Sequence, residues 1–301
     1  MDRIKKIILV FVFATAVGLA IYSRRSVIAD FFVEQKKPDV PAQTWRETSA
    51  EPAVVPDALV QDVVVPVGVP VGVPVGVQYI EPQPGIEPLP QTESEPQAPV
   101  VAPINYALSI PAEFNLAVPF TSQAPHGNWD LPYQEACEEA SVLMVDYFYQ
   151  DKPSGKIDAD EADKYLLEII DAEKEFLGYY LDTTAEETGR FANFAFNYQY
   201  EVIKNPTVEI IKQYVAGGTP VIVPASGRDL GNPFFTPPGP LYHMLVIKGY
   251  TKDGFITNDP GTRRGENYFY TFNAIMNAMH DWNGGDVSNG EKVILILSPA
   301  Q

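Results

Sequence analysis

The run HMLVIKGYTKDGFITNDPG, residues 243–261, holds two short stretches rich in Val, Ile and aromatic residues on either side of Lys252-Asp253-Gly254. Two β-prone segments flanking turn residues read as a hairpin. Its first strand opens on His243 and its second ends in Asn258-Asp259-Pro260-Gly261. His243 and Asp259 are sixteen residues apart with Thr251 midway, so a hairpin closing there sets their Cβ atoms about 4.5 to 5.5 Å apart. The turn residues lie just past that midpoint, which calls for an asymmetric loop or a bulge.

Further short strands are expected at 220–224, 268–272 and 292–297, from the same composition. Upstream the pattern is helical. Ala136, Ala140, Leu143, Met144 and Tyr147 recur at helix spacing, which predicts a helix over 135–149 starting within a residue or two of Cys137. Helices are also expected at 165–176, at 185–198 with Thr183 and Glu186 as capping box, and at 206–216 ended by Gly217-Gly218. A short strand at 116–120 precedes a loop at 123–132. Helices first and strands second argue for an α+β fold, an N-terminal helical part packed on a C-terminal antiparallel sheet.

The chain has 301 residues, 39 Asp plus Glu against 21 Lys plus Arg, and a formal charge of -18. A polyanionic nucleic acid is thereby excluded as a natural partner. Arg3, Lys5 and Lys6 precede the apolar run 7–22, and Arg24 and Arg25 follow it. This predicts a membrane anchor or signal over 1–25, with a cleaved signal peptide ending at Ala29 as the alternative. An uncleaved anchor would make a single-pass protein of the cell membrane with its folded part extracytoplasmic. Residues 26–105 are proline-rich and include VPVGVPVGVPVGV at 65–77, a composition that predicts a disordered stalk. Residues 106–301 remain for one folded domain.

Cys137 is the sole cysteine, so no intramolecular disulfide can form. A place in the first turn of a helix lowers a thiol pKa, because unpaired N–H groups there carry partial positive charge. Glu138 and Glu139 oppose the thiolate, so an imidazolium nearby becomes a requirement. Of His126, His243 and His280, only His243 stands at a strand end with a carboxylate in reach. Taken singly, a helix cysteine is usually a small buried hydrophobe and Asp259 before Pro260 an ordinary turn residue. Taken together, Cys137, His243 and Asp259 form the ordered set of an activated thiol.

Five pieces carry a family resemblance over about 115–299: VPFTSQ at 118–123, CEEASVLM at 137–144, GTPVIV at 218–223, His243 with its apolar strand, and NDPG at 258–261. They resemble the papain-like peptidases typified by the double-glycine leader peptidases of bacteriocin exporters, most closely the stand-alone C39-like relatives. The resemblance implies a papain-like fold, a thiol acyl-enzyme and a peptide or protein substrate. It also implies a glutamine upstream of the cysteine that completes the oxyanion hole, Gln123 or, in reserve, Gln134. Glu138 departs from the commoner cysteine-glycine pairing.

Trp129, Gln134 and Tyr242 are candidate substrate contacts, Trp129 being better suited to bracing the helix. The proline-rich segment 227–242 is either a cleft wall or a packed surface loop. Three function classes follow: a peptidase, a peptidoglycan amidase or endopeptidase with the same triad, and a non-catalytic binding module on a stalk. No cofactor is expected, and one cysteine with three scattered histidines offers no metal-ligand spacing.

Overall fold

The computed structural model describes residues 37–49 and 110–300. The anchor expected over 1–25 and the greater part of the stalk lie outside the described residues. Among those described, no helix is long and apolar enough to cross a membrane.

The order of elements is α1 (Trp45–Ser49), β1 (Phe114–Asn115), α2 (Cys137–Tyr149), α3 (Ala159–Leu177), α4 (Ala185–Phe196), β2 (Tyr198–Lys204) and α5 (Val208–Ala216). There follow β3 (Val221–Ala225), β4 (His243–Tyr250), β5 (Gly254–Asn258), β6 (Tyr268–Thr271), α6 (Phe272–Ala278) and β7 (Val293–Pro299). The strands form one antiparallel sheet in the order β2-β7-β3-β4-β5-β6, with β1 paired to β4. The fold is α+β.

Helix α2 carries apolar side chains on every face, and all 13 of its residues are buried, as a helix enclosed by other elements requires. It packs against β4, while Leu143 and Tyr147 meet Leu166 and Ile169 of α3 and Phe191 of α4. Strand β4 is buried along its whole length, with α5 also packed on it. Such a strand must be apolar on both faces, and MLV-I is.

Several elements differ from expectation, each for a local reason. The capping box of α4 is Thr184 with Glu187, one residue beyond the pair expected; Thr183 is instead buried and bonded to Thr188 through their hydroxyls. Helix 185–198 stops at Phe196 because Asn197 adopts φ +58, a conformation asparagine tolerates better than most residues. The chain then turns directly into β2, an unexpected strand that pairs with β7. The last expected strand residue, Phe272, begins α6 instead, capped by Thr271. The segregation of helices from strands is therefore incomplete. The strand expected at 116–120 reduces to Phe114–Asn115 plus isolated bridges at Leu116 and Phe120.

The stalk boundary also needs correction. Residues 37–49 are not part of a free spacer but join the folded unit, with Gln43 bridging Leu116 and the Asn115 amide donating to the Val40 carbonyl at 3.0 Å. Trp45 sits edge-on to Tyr149 at 4.9 Å between ring centroids, and Arg46 pairs with Asp151 at 2.7 Å. A tryptophan in a proline-rich stretch was the available signal, since an aromatic of that size stabilises chiefly when buried.

The hairpin closes as read but in a different register. Tyr250 pairs with Phe255 and Val246 with Asn258, with a bulge between Ile247 and Gly249. His243 is thus opposite Ala225 of β3, not Asp259. Counting one step past Asn258 sets Asp259 level with Leu245, so His243 and Asp259 are diagonal neighbours on one face, within reach of side chains. Gly249 is required beside the bulge because a Cβ there would stand 2.7 Å from the Phe114 carbonyl oxygen of β1.

Candidate active site

A short 3₁₀ turn, Tyr133–Glu135, delivers the chain to α2. Ala136 occupies the cap position and makes no side-chain cap bond, so the first N–H groups of the helix are left for other partners. The Cys137 backbone N–H has no carbonyl partner among the described residues. The sulfur lies against β4, where the Met244 N–H donates to Sγ at 3.3 Å, and the thiol donates to Glu138 Oε2 at 3.0 Å. Cys137 is only 5 % exposed. Burial, then the charge and hydrogen bond of Glu138, push its thiol well above the ordinary cysteine value, so the resting thiol keeps its proton.

His243 presents Nε2 to Asp259 Oδ1 at 2.8 Å. Its other nitrogen, Nδ1, makes no hydrogen bond among the described residues, and the Phe235 ring packs edge-on to the imidazole at 5.3 Å. No hydrogen bond joins Sγ to His243 in this state; the required imidazolium contact is replaced by the Glu138 carboxyl. Catalytic hydrogen bonds are often long or absent before substrate arrives.

Asp259 is fully buried and every acceptor site on it is used. Oδ1 also takes the Gly261 N–H at 3.0 Å, while Oδ2 takes the Tyr270 hydroxyl at 2.6 Å and the Asn232 amide at 3.0 Å. Burial by itself would raise its pKa; His243, by charge and hydrogen bond, then Tyr270 and Gly261 outweigh that and hold the carboxyl below its usual value. Asn232 and Tyr270 escaped the sequence reading. Tyr270 is a buried position of β6 and so was legible as an inward residue, whereas nothing in the 227–242 segment marked Asn232.

The structure brings Cys137, His243, Gln123, Trp129, Gln134 and Tyr242 to the lining of a single cleft of about 1140 Å³. Asp259 stands behind His243 and does not line it. Gln123 Nε2 donates to the carbonyls of Tyr133 and Gln134 at 2.9 and 2.8 Å, so both amide hydrogens support the turn before α2 rather than pointing at an oxyanion. Gln134 donates to Glu135 at 2.9 Å. Tyr242 is 5 % exposed and its hydroxyl faces Thr183 and Asp281, leaving only its ring for a substrate. Residues 234–242 line the cleft and thus form a wall. His126 and His280 are elsewhere, facing Asp160 and the Gly290 carbonyl. Among the described residues no cluster of His, Cys, Asp and Glu suits a metal ion.

Behind the sulfur lie three buried carboxyls, Glu138 and Glu139 of α2 and Glu173 of α3, each 1 % exposed. The charge of Glu173 adds to burial in disfavouring an ionised Glu139, and neither Glu139 oxygen has a hydrogen-bond partner among the described residues. Burial pushes Glu138 and Glu139 well above the carboxylate range and Glu173 up to about 7. A carboxyl whose pKa is raised on folding leaves stability intact below its unfolded value and removes it as pH rises toward the folded value. Glu173→Gln, which imitates the protonated acid, is therefore expected to match the natural protein near pH 4 and to exceed it by about 1–3 kcal/mol at pH 8. Urea unfolding at the two pH values checks this; equal differences at both would contradict it.

The family model described as Peptidase_C39 like family matches residues 115–284, a stretch that contains every residue of the cleft lining named above. Among solved structures, a protein of Bacillus anthracis assigned as a C39-like peptidase aligns with 63% of this chain and 99% of its own, at 13% identity and a TM-score of 0.42. No curated protein matches the chain.

Proposed function

The chain belongs to the Peptidase_C39 like family, and from that premise we propose that it is a cysteine peptidase that hydrolyses peptide bonds through a thiol acyl-enzyme on Cys137. One observation carries the reading: the sulfur at the first turn of α2 and the imidazole of an Asp259–His243 pair line the same cleft.

In the proposed reaction His243 Nδ1 accepts the thiol proton while Asp259 holds Nε2–H and so fixes the tautomer. The thiolate adds to the substrate carbonyl carbon, and the free Cys137 N–H stabilises the oxyanion. His243 returns the proton to the departing amine as the C–N bond breaks. Water then adds to the thioester, giving its proton to His243, and loss of the thiol restores the resting site. Gln123 would join the oxyanion hole only by releasing a turn carbonyl; its Oε1 is buried without a partner among the described residues, so the side chain is not fully satisfied where it stands.

We further place the domain outside the cytoplasmic membrane, tethered through residues 7–22, on the basic residues that flank that run. Incubation of the purified full chain with a mixed peptide library is expected to yield products that disappear in Cys137→Ala. Release of dye-labelled peptidoglycan fragments without peptide cleavage would overturn the peptidase assignment in favour of a wall hydrolase. A membrane-impermeant peptide should be cut by intact spheroplasts; activity appearing only after lysis would refute the placement.

A further inference from the structure

We propose that the cleft selects acidic peptides, with Arg228, Arg263, Arg264 and Lys156 forming a cationic rim that holds substrate carboxylates on either side of the bond presented to Cys137. The proposal rests on the peptidase reading only in naming the bond at Cys137 as the one cut.

The argument begins from a contrast of sign. Across the chain acidic residues outnumber basic ones, 39 to 21, yet the cleft lining holds those four cations against only Glu135 and Asp182. Of the four arginines between residues 110 and 300, Arg190, Arg228, Arg263 and Arg264, three are in this lining. The concentration is specific to the cleft.

The cations are also held in place, three of them without an ion pair. Among the described residues Arg228, Arg263 and Lys156 make no ion pair, although all are exposed in a strongly acidic protein. Arg228 donates from Nε to the Gly239 carbonyl at 3.5 Å, which ties it to the proline-rich wall. Arg264 stacks on Phe234 at 4.7 Å, and Arg263 lies along Gly127, where an added Cβ would stand 3.4 Å from Nη1. A guanidinium tied by a single bond, as Arg228 is, keeps its remaining N–H groups in a planar fork suited to a carboxylate. The arginines ride on two loops that both flank the triad: Arg228 follows β3, and Arg263 and Arg264 follow Asp259. Substrate carboxylates bound there would bracket the His243 side of the cleft. The negative charge elsewhere on the surface repels a poly-acidic chain in general, so a local cationic patch in a concave site focuses attraction on this one place.

The test uses the full chain. Fluorescent peptides of one length, rich in Glu, in Gln or in Lys, are titrated against Cys137→Ala by anisotropy, and cleavage by the natural protein is followed in parallel. The Glu-rich peptide is expected to bind at least about tenfold tighter than the Lys-rich one near 50 mM salt, with the gap closing toward 500 mM. Arg228→Glu/Arg263→Glu should remove or invert the preference. Equal binding of the three peptides, or a preference unchanged in the double variant with its fold intact by circular dichroism, overturns the inference. Selective binding of the Glu-rich peptide without any cleavage by the natural protein would sustain the inference and sink the peptidase reading alone.

Discussion

His243→Ala is expected to lower kcat/KM by at least about a thousandfold on every peptide the protein cleaves. The size of the effect follows from the surroundings of the sulfur. Cys137 is buried, its thiol is pushed well above the ordinary value, and its S–H donates to Glu138. Nothing acidic can act as the missing counter-charge, and the Met244 N–H at 3.3 Å and the start of α2 supply only partial positive charge. A thiolate in that setting requires the full charge of an imidazolium. Removing the imidazole therefore removes both the proton acceptor and the ion that stabilises the nucleophile. The same variant should also alkylate more slowly with iodoacetamide at neutral pH than the natural protein does, a reading independent of any substrate. Activity within tenfold of the natural protein, or unchanged alkylation, would sink the assignment of His243 as the base.

Asp259→Ala is expected to be the most costly single change to stability in the site, about 3–5 kcal/mol, a fall in Tm of about 10 °C for a domain of this size. The carboxylate is fully buried and receives four donors: His243, Gly261, Asn232 and Tyr270. Truncation leaves His243, Gly261 and Tyr270 without this acceptor and Asn232 with only its bond to the Tyr270 hydroxyl, and each orphaned donor costs its desolvation. Asp259→Asn isolates the cause. An amide keeps an oxygen for the His243 Nε2–H, but its NH₂ would face the Asn232 amide, donor against donor. It should lose less activity than Asp259→Ala yet remain measurably less stable than the natural protein. Calorimetry with parallel assays checks both; a Tm for Asp259→Ala within a degree of the natural value would refute the network.

The candidate site was legible where residue type and spacing act through one element at a time. Cys137 at a helix start, His243 at a strand start and Asp259 in a turn are local statements, and α2, β4 and β5 form where composition and periodicity put them. Gly249 shows where that logic ends. Its need for a missing Cβ comes from β1, more than a hundred residues away in sequence. The register of the hairpin is a similar case. Turn symmetry predicted a direct His243–Asp259 pairing, whereas the bulge beside Lys248, whose amine is drawn inward to Asn267 at 2.8 Å, slides the strands until the two are diagonal.

Sequence alone determined the α+β class, the residues that could act as nucleophile, base and orienter, and the sign of the whole molecule, because these depend on what each residue is and on short-range periodicity. Tertiary structure alone decided that the thiol donates to Glu138, that Gln123 is occupied by the turn before α2, that Asn232 and Tyr270 complete the hold on Asp259, and that the scarce arginines gather around the cleft. Burial and partnership are properties of what surrounds a side chain, and those surroundings are assembled from segments far apart in the chain.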